Sequence, residues 1–194
     1  MSYHIYTTDG IILKRRGFGE ANVLLFILTD ELGLIMTSAQ SARAVQSKLN
    51  SALQEYSLIS LSCVKGKNGW KVTNAVSKEN FYFDQPIFVQ KLVSQLSEVL
   101  LRMMPGEEKH REVFSIVSSG FSELKNISEN NIANFETLIM LRFLYHLGYI
   151  DKNSETEKFL QNYSDWGDGV LAEVSAPRLS LVSLINKGLK ESQL

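Results

Sequence analysis

The sequence predicts an α+β fold, with a five-stranded β-barrel in residues 1–80 and an all-α helical domain in residues 81–194. Short apolar runs separated by turn residues fill the first part, a pattern typical of an antiparallel barrel. Apolar residues at spacings of three and four fill the second part and indicate amphipathic helices. The two parts also differ in charge, so we expect them to have different partners.

Five apolar runs predict the strands of the barrel. They occupy residues 9–16, 21–29, 34–39, 55–64 and 70–76. Gly17-Phe18-Gly19 permits a tight turn or bulge, Gly33 suits a hairpin connection, and Asn68-Gly69 is a strong hairpin signal. Residues 40–51 are polar and basic with little apolar periodicity, and we expect a mobile loop there.

Helical periodicity predicts three long helices, over residues 87–104, 107–125 and 132–147. Pro105-Gly106 ends the first, and Gly148 is a C-cap for the third. A short helix over residues 154–162 and a last helix over residues 177–192 follow, with Pro177 in the first turn of the latter. Residues 165–169 are predicted to form a turn.

Basic residues outnumber acidic ones only in the predicted barrel. Residues 1–80 carry nine Lys and Arg against six Asp and Glu, a net charge of +3, whereas residues 81–194 carry a net charge of −4. The whole-chain charge of −1 therefore conceals a basic barrel, which favours an anionic ligand such as nucleic acid.

The sequence disfavours several classes of function. The single cysteine, Cys63, permits neither a disulfide nor a Cys-x-x-Cys zinc site within the chain, so we expect no metal and no cofactor. No phosphate-binding loop, Gly-x-Ser-x-Gly or His-Glu-x-x-His motif occurs, so we expect no enzyme activity. No apolar run reaches the roughly 18 residues of a membrane helix, and the first residues lack a signal-peptide pattern. We therefore expect a cytoplasmic protein without a membrane partner.

A surface that binds single-stranded nucleic acid combines cations, which follow the phosphates, with flat side chains on which bases stack. The sequence offers ten such residues, nearly all at strand ends or in loops: Lys14, Arg15, Arg16, Phe18, Arg43, Lys48, Lys65, Lys67, Trp70 and Lys71. The strongest candidates are the basic triplet of residues 14–16 and the loop residues Arg43 and Lys48. Ordinary surface charges, with Trp70 in the barrel core, are the alternative interpretation.

Four parts of the sequence carry a resemblance: residues 9–16 with 19–22, residues 31–35, residues 42–49 with 53–59, and residues 136–149, which end in Leu147-Gly148-Tyr149. Together they resemble the bacterial RecO family of DNA repair and recombination mediators. The resemblance spans about residues 5–150. It implies an N-terminal OB-fold that binds single-stranded DNA, and a non-enzymatic protein that promotes annealing and helps to load RecA recombinase together with RecR.

The resemblance also implies a pocket between the helices for the acidic, aromatic-ended C-terminal tail of single-stranded-DNA-binding protein. The candidate contacts are Lys91, Arg102, Arg142, Phe143 and Tyr145. An ion pair of Arg142 with Glu136 or Glu98 is the alternative. The chain departs from the family pattern in lacking paired Cys-x-x-Cys zinc ligands, which indicates the zinc-free branch, and in carrying only Arg43 and Lys48 in its basic loop.

Two other functions fit the same residues. A protein-interaction module, whose barrel docks partners without contacting DNA, fits the thin basic loop and the slight net negative charge. A small RNA-binding OB protein differs only in its ligand. Double-stranded DNA is a further ligand for the same cations.

Overall fold

The computed structural model describes residues 4–44 and 46–192, and the chain divides into two compact units. The first unit comprises Met1–Gln85 with Val93–Arg111, and the second comprises Pro86–Leu92 with Glu112–Leu194. Strands followed by helices confirm the predicted α+β class. The boundary at residue 80 stays a prediction.

The first unit contains the five predicted strands, which form a closed barrel. Their neighbours run in the order β1-β2-β3-β5-β4, and β4 pairs back to β1. All pairs are antiparallel except that of β3 with β5. The strands are β1 (Ile5–Phe18), β2 (Asn22–Thr29), β3 (Gly33–Ala39), β4 (Ser57–Gly66) and β5 (Gly69–Asn80).

Strand β1 is longer than its apolar run predicts because its first part pairs with one strand and its second part pairs with another. Ile5–Ile11 pairs with β4, and Gly10–Phe18 pairs with β2. The register shifts between Ile12 and Lys14, which leaves Leu13 as a buried bulge residue. A bulge bends a strand, so it allows one strand to pass from one side of the barrel to the other.

The strand register gives the stagger of the barrel. A path around the barrel starts at Arg16 and moves from each residue to its pairing partner on the next strand. It passes through Leu24, Ser38, Lys71 and Val64 and returns to β1 at Ile5. Ile5 lies eleven residues before Arg16, and one of those eleven is the bulge residue Leu13. The shear is therefore about ten residues for five strands, a strongly tilted and closed barrel.

The predicted loop of residues 40–51 contains a short helix, α1 (Lys48–Ala52). Ala52 and the following Leu53 are buried in the barrel core, and Leu49 packs against that core. Three apolar side chains in a polar segment are too few to produce a visible helical pattern. The mobile loop predicted for residues 40–51 is therefore wrong for residues 48–51, which are helical.

In the described residues, six further α-helices follow: α2 (Ile87–Met103), α3 (Arg111–Glu123), α4 (Ile132–His146), α5 (Glu157–Leu160), α6 (Asp168–Ser175) and α7 (Arg178–Glu191). Within the second unit, α4 contacts α5, α6 and α7, and residues from Phe135 to Leu144 are buried almost all round the helix. A helix that is apolar on every side forms the centre of a helical core.

Two helix predictions need correction. The second long helix begins at Arg111 and not near Glu107, because Gly106 accepts a hydrogen bond from the backbone N–H of Leu34 and this ties the segment to the barrel. The predicted turn at residues 165–169 overlaps the first residues of α6. Gly167 and Gly169 indicate a turn in the sequence, but a helix begins at Asp168 and buries Leu171 and Val174.

Gly33 provides a test of how the first unit is assembled. Its φ is 71°, and a Cβ there would lie 2.2 Å from the carbonyl oxygen of Glu108 and 2.6 Å from that of Gly106. We expect Gly33→Ala to lower the free energy of unfolding by at least about 2 kcal/mol, through backbone strain and overlap with main-chain atoms. Urea denaturation measures this loss.

Gly66→Ala is the matched control for Gly33→Ala. Its Cβ would meet only the carbonyl oxygen of Gly69, at 3.8 Å, and its φ is not in the left-handed region. We expect the control to change stability by no more than about 0.5 kcal/mol. Equal losses in the two variants would contradict the close approach assigned to Gly33.

Candidate nucleic-acid interface

One row of residues crosses the outside of the barrel from β1 to β5. Arg16 pairs with Leu24, Leu24 with Ser38, and Ser38 with Lys71. Residues that pair directly in a sheet point to the same face, and their chain neighbours point to the opposite one. The neighbours Val23, Leu25, Thr37 and Ala39 are buried in the barrel, so this row faces outward. We call these four residues the Arg16 row; it has a cation at each end.

Apolar and aromatic side chains lie beside the Arg16 row on the same face. On one side Lys14 pairs with Phe26, and Phe26 with Met36; on the other, Phe18 pairs with Asn22. Met36 is 57% exposed and Phe18 is 44% exposed. The outer face of β1, β2 and β3 thus combines apolar surface for bases with cations for phosphates.

The basic triplet of residues 14–16 does not share one face. Lys14 and Arg16 point outward, whereas Arg15 alternates to the other side of β1 and is half-buried. Arg15 Nη2 donates a hydrogen bond to Asn50 Oδ1 at 2.8 Å, and its backbone N–H donates to Glu55 Oε1 at 2.7 Å. Arg15 therefore joins β1 to the α1 segment, and the predicted triplet is wrong as a single cluster.

Two of the predicted cations form ion pairs within the first unit. Lys14 Nζ lies 2.5 Å from Glu98 Oε1, and Lys65 Nζ lies 2.5 Å from Glu107 Oε2. The hydrogen bond from Lys65 lowers the pKa of Glu107. Ion pairs on a surface contribute only about 0–1 kcal/mol, so phosphate can compete for these lysines at modest cost.

The hairpin between β4 and β5 presents further cations. Lys67 and Lys71 are exposed and line a surface depression of about 300 Å³ together with Val64, Gly66 and Asn68. Within the described residues, Arg16, Lys48, Lys67 and Lys71 form no ion pair, so their charge is free for an anionic ligand. Lys71 links the hairpin to the Arg16 row.

The two loop residues that were predicted to bind DNA have different surroundings. Lys48 is exposed at the first position of α1. Arg43 is also exposed, but its Nη2 donates hydrogen bonds to the carbonyl oxygens of Gly19, at 3.1 Å, and Glu20. Arg43 is therefore bound to the β1–β2 loop.

Trp70 lies inside the barrel and not on its surface. Its side chain is 5% exposed and belongs to the core cluster, where Tyr6 contacts it edge-on with ring centroids 5.2 Å apart. Lys65 Nζ lies 5.3 Å from the ring centroid. The prediction that Trp70 stacks on bases is wrong, because an inward ring has no free face; the alternative, a barrel-core residue, describes it.

Residues 1–81 match the family model described as recombination protein O, N-terminal. The DNA repair protein RecO of Heliobacterium modesticaldum is 29% identical over 146 residues, which cover 75% of this chain and 52% of that protein. The DNA repair protein RecO of Thermodesulfovibrio yellowstonii is 27% identical over 154 residues, covering 75% and 58%. That of Dehalococcoides mccartyi strain 195 is 28% identical over 127 residues, covering 65% and 50%.

Residues 1–81 thus match the N-terminal domain of the RecO family, and the chain is similar to RecO proteins over 65–75% of its length. The resemblance that the sequence segments carry is thus confirmed, and the barrel is the OB-fold domain of that family. The chain spans about half the length of the curated relatives it matches.

Arg142 is not free to bind a partner. The residue is 1% exposed; its Nε donates to the carbonyl oxygen of Phe159 at 2.9 Å, and its Nη1 donates to those of Asp165 at 2.7 Å and Tyr163 at 3.3 Å. The guanidinium also lies 4.5 Å from the centroid of the Trp166 ring. Both sequence interpretations of Arg142, a clamp for a carboxylate tail and an ion pair with Glu136 or Glu98, are wrong.

The other residues predicted for partner binding differ in exposure. Phe143 is buried in the second unit, which excludes it from a preformed surface site. Lys91 and Arg102 are exposed on α2, and Tyr145 is half-buried near the end of α4. Of the five, only Lys91, Arg102 and Tyr145 retain surface for a partner.

Sequence reasoning missed the apolar part of the barrel's outer face. Leu24, Phe26 and Met36 were counted only as strand formers. A signal existed: Leu34-Ile35-Met36 is apolar at both inward and outward positions of β3, whereas a strand with one face in water usually alternates with polar residues. An outward apolar residue beside cations indicates a binding surface.

In the part of the chain that the structure describes, two kinds of feature are absent. No group of three or more His, Cys, Asp or Glu side chains in residues 4–44 and 46–192 is arranged to hold a metal ion. In the same residues, no helix has both the length and the apolar character needed to cross a membrane.

The buried position of Arg142 predicts a large effect on stability. Arg142→Met keeps the aliphatic stem but leaves the buried carbonyl oxygen of Phe159 and the part-buried ones of Tyr163 and Asp165 without their donor, so we expect the free energy of unfolding to fall by about 3 kcal/mol. Thermal denaturation followed by circular dichroism measures the loss. Arg102→Met, at an exposed position, is the control and should change stability by less than about 0.5 kcal/mol. Equal stabilities of the two variants would contradict a structural role for Arg142.

Proposed function

We propose that this chain acts in DNA repair and recombination as a non-enzymatic mediator, and that its barrel binds single-stranded DNA on the outer face of β1, β2, β3 and β5. The Arg16 row is the observation that supports this proposal most directly, because the strand register sets Arg16 and Lys71 at the two ends of an outward row. OB-folds use the face of strands 2 and 3, with the β1–β2 and β4–β5 loops, to bind oligonucleotides.

The proposed contacts divide into two kinds. Arg16, Lys67 and Lys71 neutralise phosphates, and Lys14 joins them when a phosphate replaces Glu98. Bases stack on the exposed ring of Phe18, and the apolar surface around Met36, on the other side of the Arg16 row, contacts another base. Each stacked base contributes about 1–3 kcal/mol, and each neutralised phosphate adds about 0.7 to the slope of log affinity against log salt for single strands.

The partners of the mediator are proposed from the family resemblance. Curated relatives are named DNA repair protein RecO, and the chain shares 27–29% identity with three of them. We propose that the chain promotes annealing, contacts the C-terminal tail of single-stranded-DNA-binding protein, and acts with RecR to load RecA. The exposed Lys91 and Arg102 are the cations on α2 that suit an acidic tail.

Removing the two end cations of the Arg16 row tests the DNA proposal. We expect Arg16→Gln and Lys71→Gln each to weaken the binding of a labelled oligothymidine several-fold at low salt, and to reduce the salt slope by about 0.7. Fluorescence anisotropy over a series of salt concentrations measures both quantities.

Lys78→Gln is the matched control for the two cation variants. Lys78 is exposed near the other end of β5, where it pairs with Asp9, and its removal should leave affinity and salt slope unchanged. Binding that is absent or independent of salt would overturn the DNA proposal and favour a protein-docking barrel. Competition with RNA and with duplex DNA ranks the three nucleic acids.

The tail proposal has a separate test. Lys91→Gln and Arg102→Gln should each weaken the binding of a peptide that carries the last residues of single-stranded-DNA-binding protein, because each removes a cation opposite an acidic ligand. Lys187→Gln, on the exposed side of α7, should have no effect. Isothermal titration calorimetry measures the affinity of each variant for the peptide. Unchanged affinity in the first two variants would show that α2 does not form the proposed contact.

A further inference from the structure

The β1–β2 loop is held by a loop distant in sequence. The guanidinium of Arg43 donates from Nη2 to the carbonyl oxygens of Gly19 and Glu20, and the backbone N–H of Arg43 donates to the carbonyl oxygen of Ala21 at 2.8 Å. All three carbonyls of the turn between β1 and β2 therefore accept hydrogen bonds from one residue. We call this arrangement the Arg43 clamp.

Gly17 leaves the space that the Arg43 clamp requires. A Cβ at residue 17 would lie 2.3 Å from Arg43 Nη1, much closer than any contact allows. The φ of Gly17 is not in the left-handed region, so the backbone itself would accept alanine. Glycine is therefore needed at position 17 to leave room for the Arg43 side chain, and not to permit the backbone conformation of residue 17.

A further hydrogen bond connects the turn after β3 to the residue that follows the β1–β2 loop. The backbone N–H of Ser41 donates to Asn22 Oδ1 at 3.0 Å, and Ser41 has a φ of 53°, a conformation that non-glycine residues adopt only under constraint. Such strain persists only where surrounding contacts enforce it, and it concentrates at functional sites. The conformation of the turn after β3 thus places Arg43 beside the β1–β2 loop.

The clamp and the proposed stacking residue lie on opposite sides of β1. Gly17 pairs with the inward-pointing Val23, so Arg43 approaches β1 from the inner side, at the end of the barrel. Phe18 is the next residue and points outward, on the same face as Arg16. Arg43 can therefore fix the backbone beneath Phe18 without sharing its ligand face.

We infer that Arg43 is a positioning residue: it clamps the β1–β2 loop so that Phe18 is fixed for stacking on a base, and it does not serve chiefly as a phosphate contact. This inference rests on the proposed binding of single-stranded DNA. It assigns to Arg43 the role of holding the β1–β2 loop in place, a role that the positive charge of this residue does not by itself indicate. Three hydrogen bonds to one short turn restrict the freedom that two glycines would otherwise give it.

Gly17→Ala tests the inference because it displaces the guanidinium while every charge remains. The overlap involves the far end of a flexible side chain, so stability should change little. We expect Gly17→Ala to weaken the binding of oligothymidine by roughly 5- to 150-fold, the range for one lost stacked base, with an unchanged salt slope. Arg43→Lys, which keeps the charge but loses the planar guanidinium, should behave in the same way.

A double-mutant cycle connects the clamp to Phe18. If Arg43 acts through Phe18, Phe18→Ala combined with Gly17→Ala should bind no more weakly than Phe18→Ala alone. Gly169→Ala, at an exposed glycine of the second unit where an added Cβ would meet nothing within 4 Å, is the control and should bind as the unaltered chain does. Circular dichroism verifies that each variant is folded.

The outcomes separate the inference from the proposal on which it rests. Unaltered binding by Gly17→Ala, together with a salt slope that falls by about 0.7 in Arg43→Gln, would overturn the positioning role and leave a simple phosphate contact. Additive losses in the double mutant would also overturn it. Failure of the unaltered chain to bind single strands would overturn the proposed function and the role of Arg43 together.

Discussion

Two residue pairs close the barrel where β3 and β5 run parallel: Thr37 with Trp70, and Ser38 with Lys71. Without them the sheet would have two open edges with unpaired main-chain groups. The inward members, Thr37 and Trp70, are buried in the core, whereas Ser38 and Lys71 point outward. The short contact that completes the hydrophobic core therefore also sets Lys71 at the end of the Arg16 row.

Alternation along strands decides which cations can act together. In β1, Lys14 and Arg16 share the outer face with Phe18, while Arg15 turns to Asn50 and Glu55. Neighbours in sequence are thus separated in space, and residues more than 50 positions apart, such as Arg16 and Lys71, are brought to one row. This rearrangement concentrates apolar surface and positive charge where the composition shows only a net charge of +3.

The second unit uses its arginine in a different way. Arg142 is enclosed by the segment from Phe159 to Trp166, and its charge is balanced chiefly by main-chain carbonyl groups and the face of an indole ring. Burial lowers the pKa of Arg142 to about 10, so the guanidinium stays charged at neutral pH. A charged side chain at this depth orders a segment that has little regular structure of its own.

The sequence by itself determined the number of strands, the hairpin turns and the three long helices, because apolar periodicity and turn residues are local properties of the chain, and its segments carried the resemblance to RecO proteins. It did not determine which of its candidate residues face a ligand. Trp70 and Arg142 have the chemistry of binding residues, yet both are buried; Met36 looks like a core residue, yet it is exposed. Only the tertiary structure decided these positions, because the inward or outward direction of a side chain depends on strand register, on the Leu13 bulge and on the closure between β3 and β5.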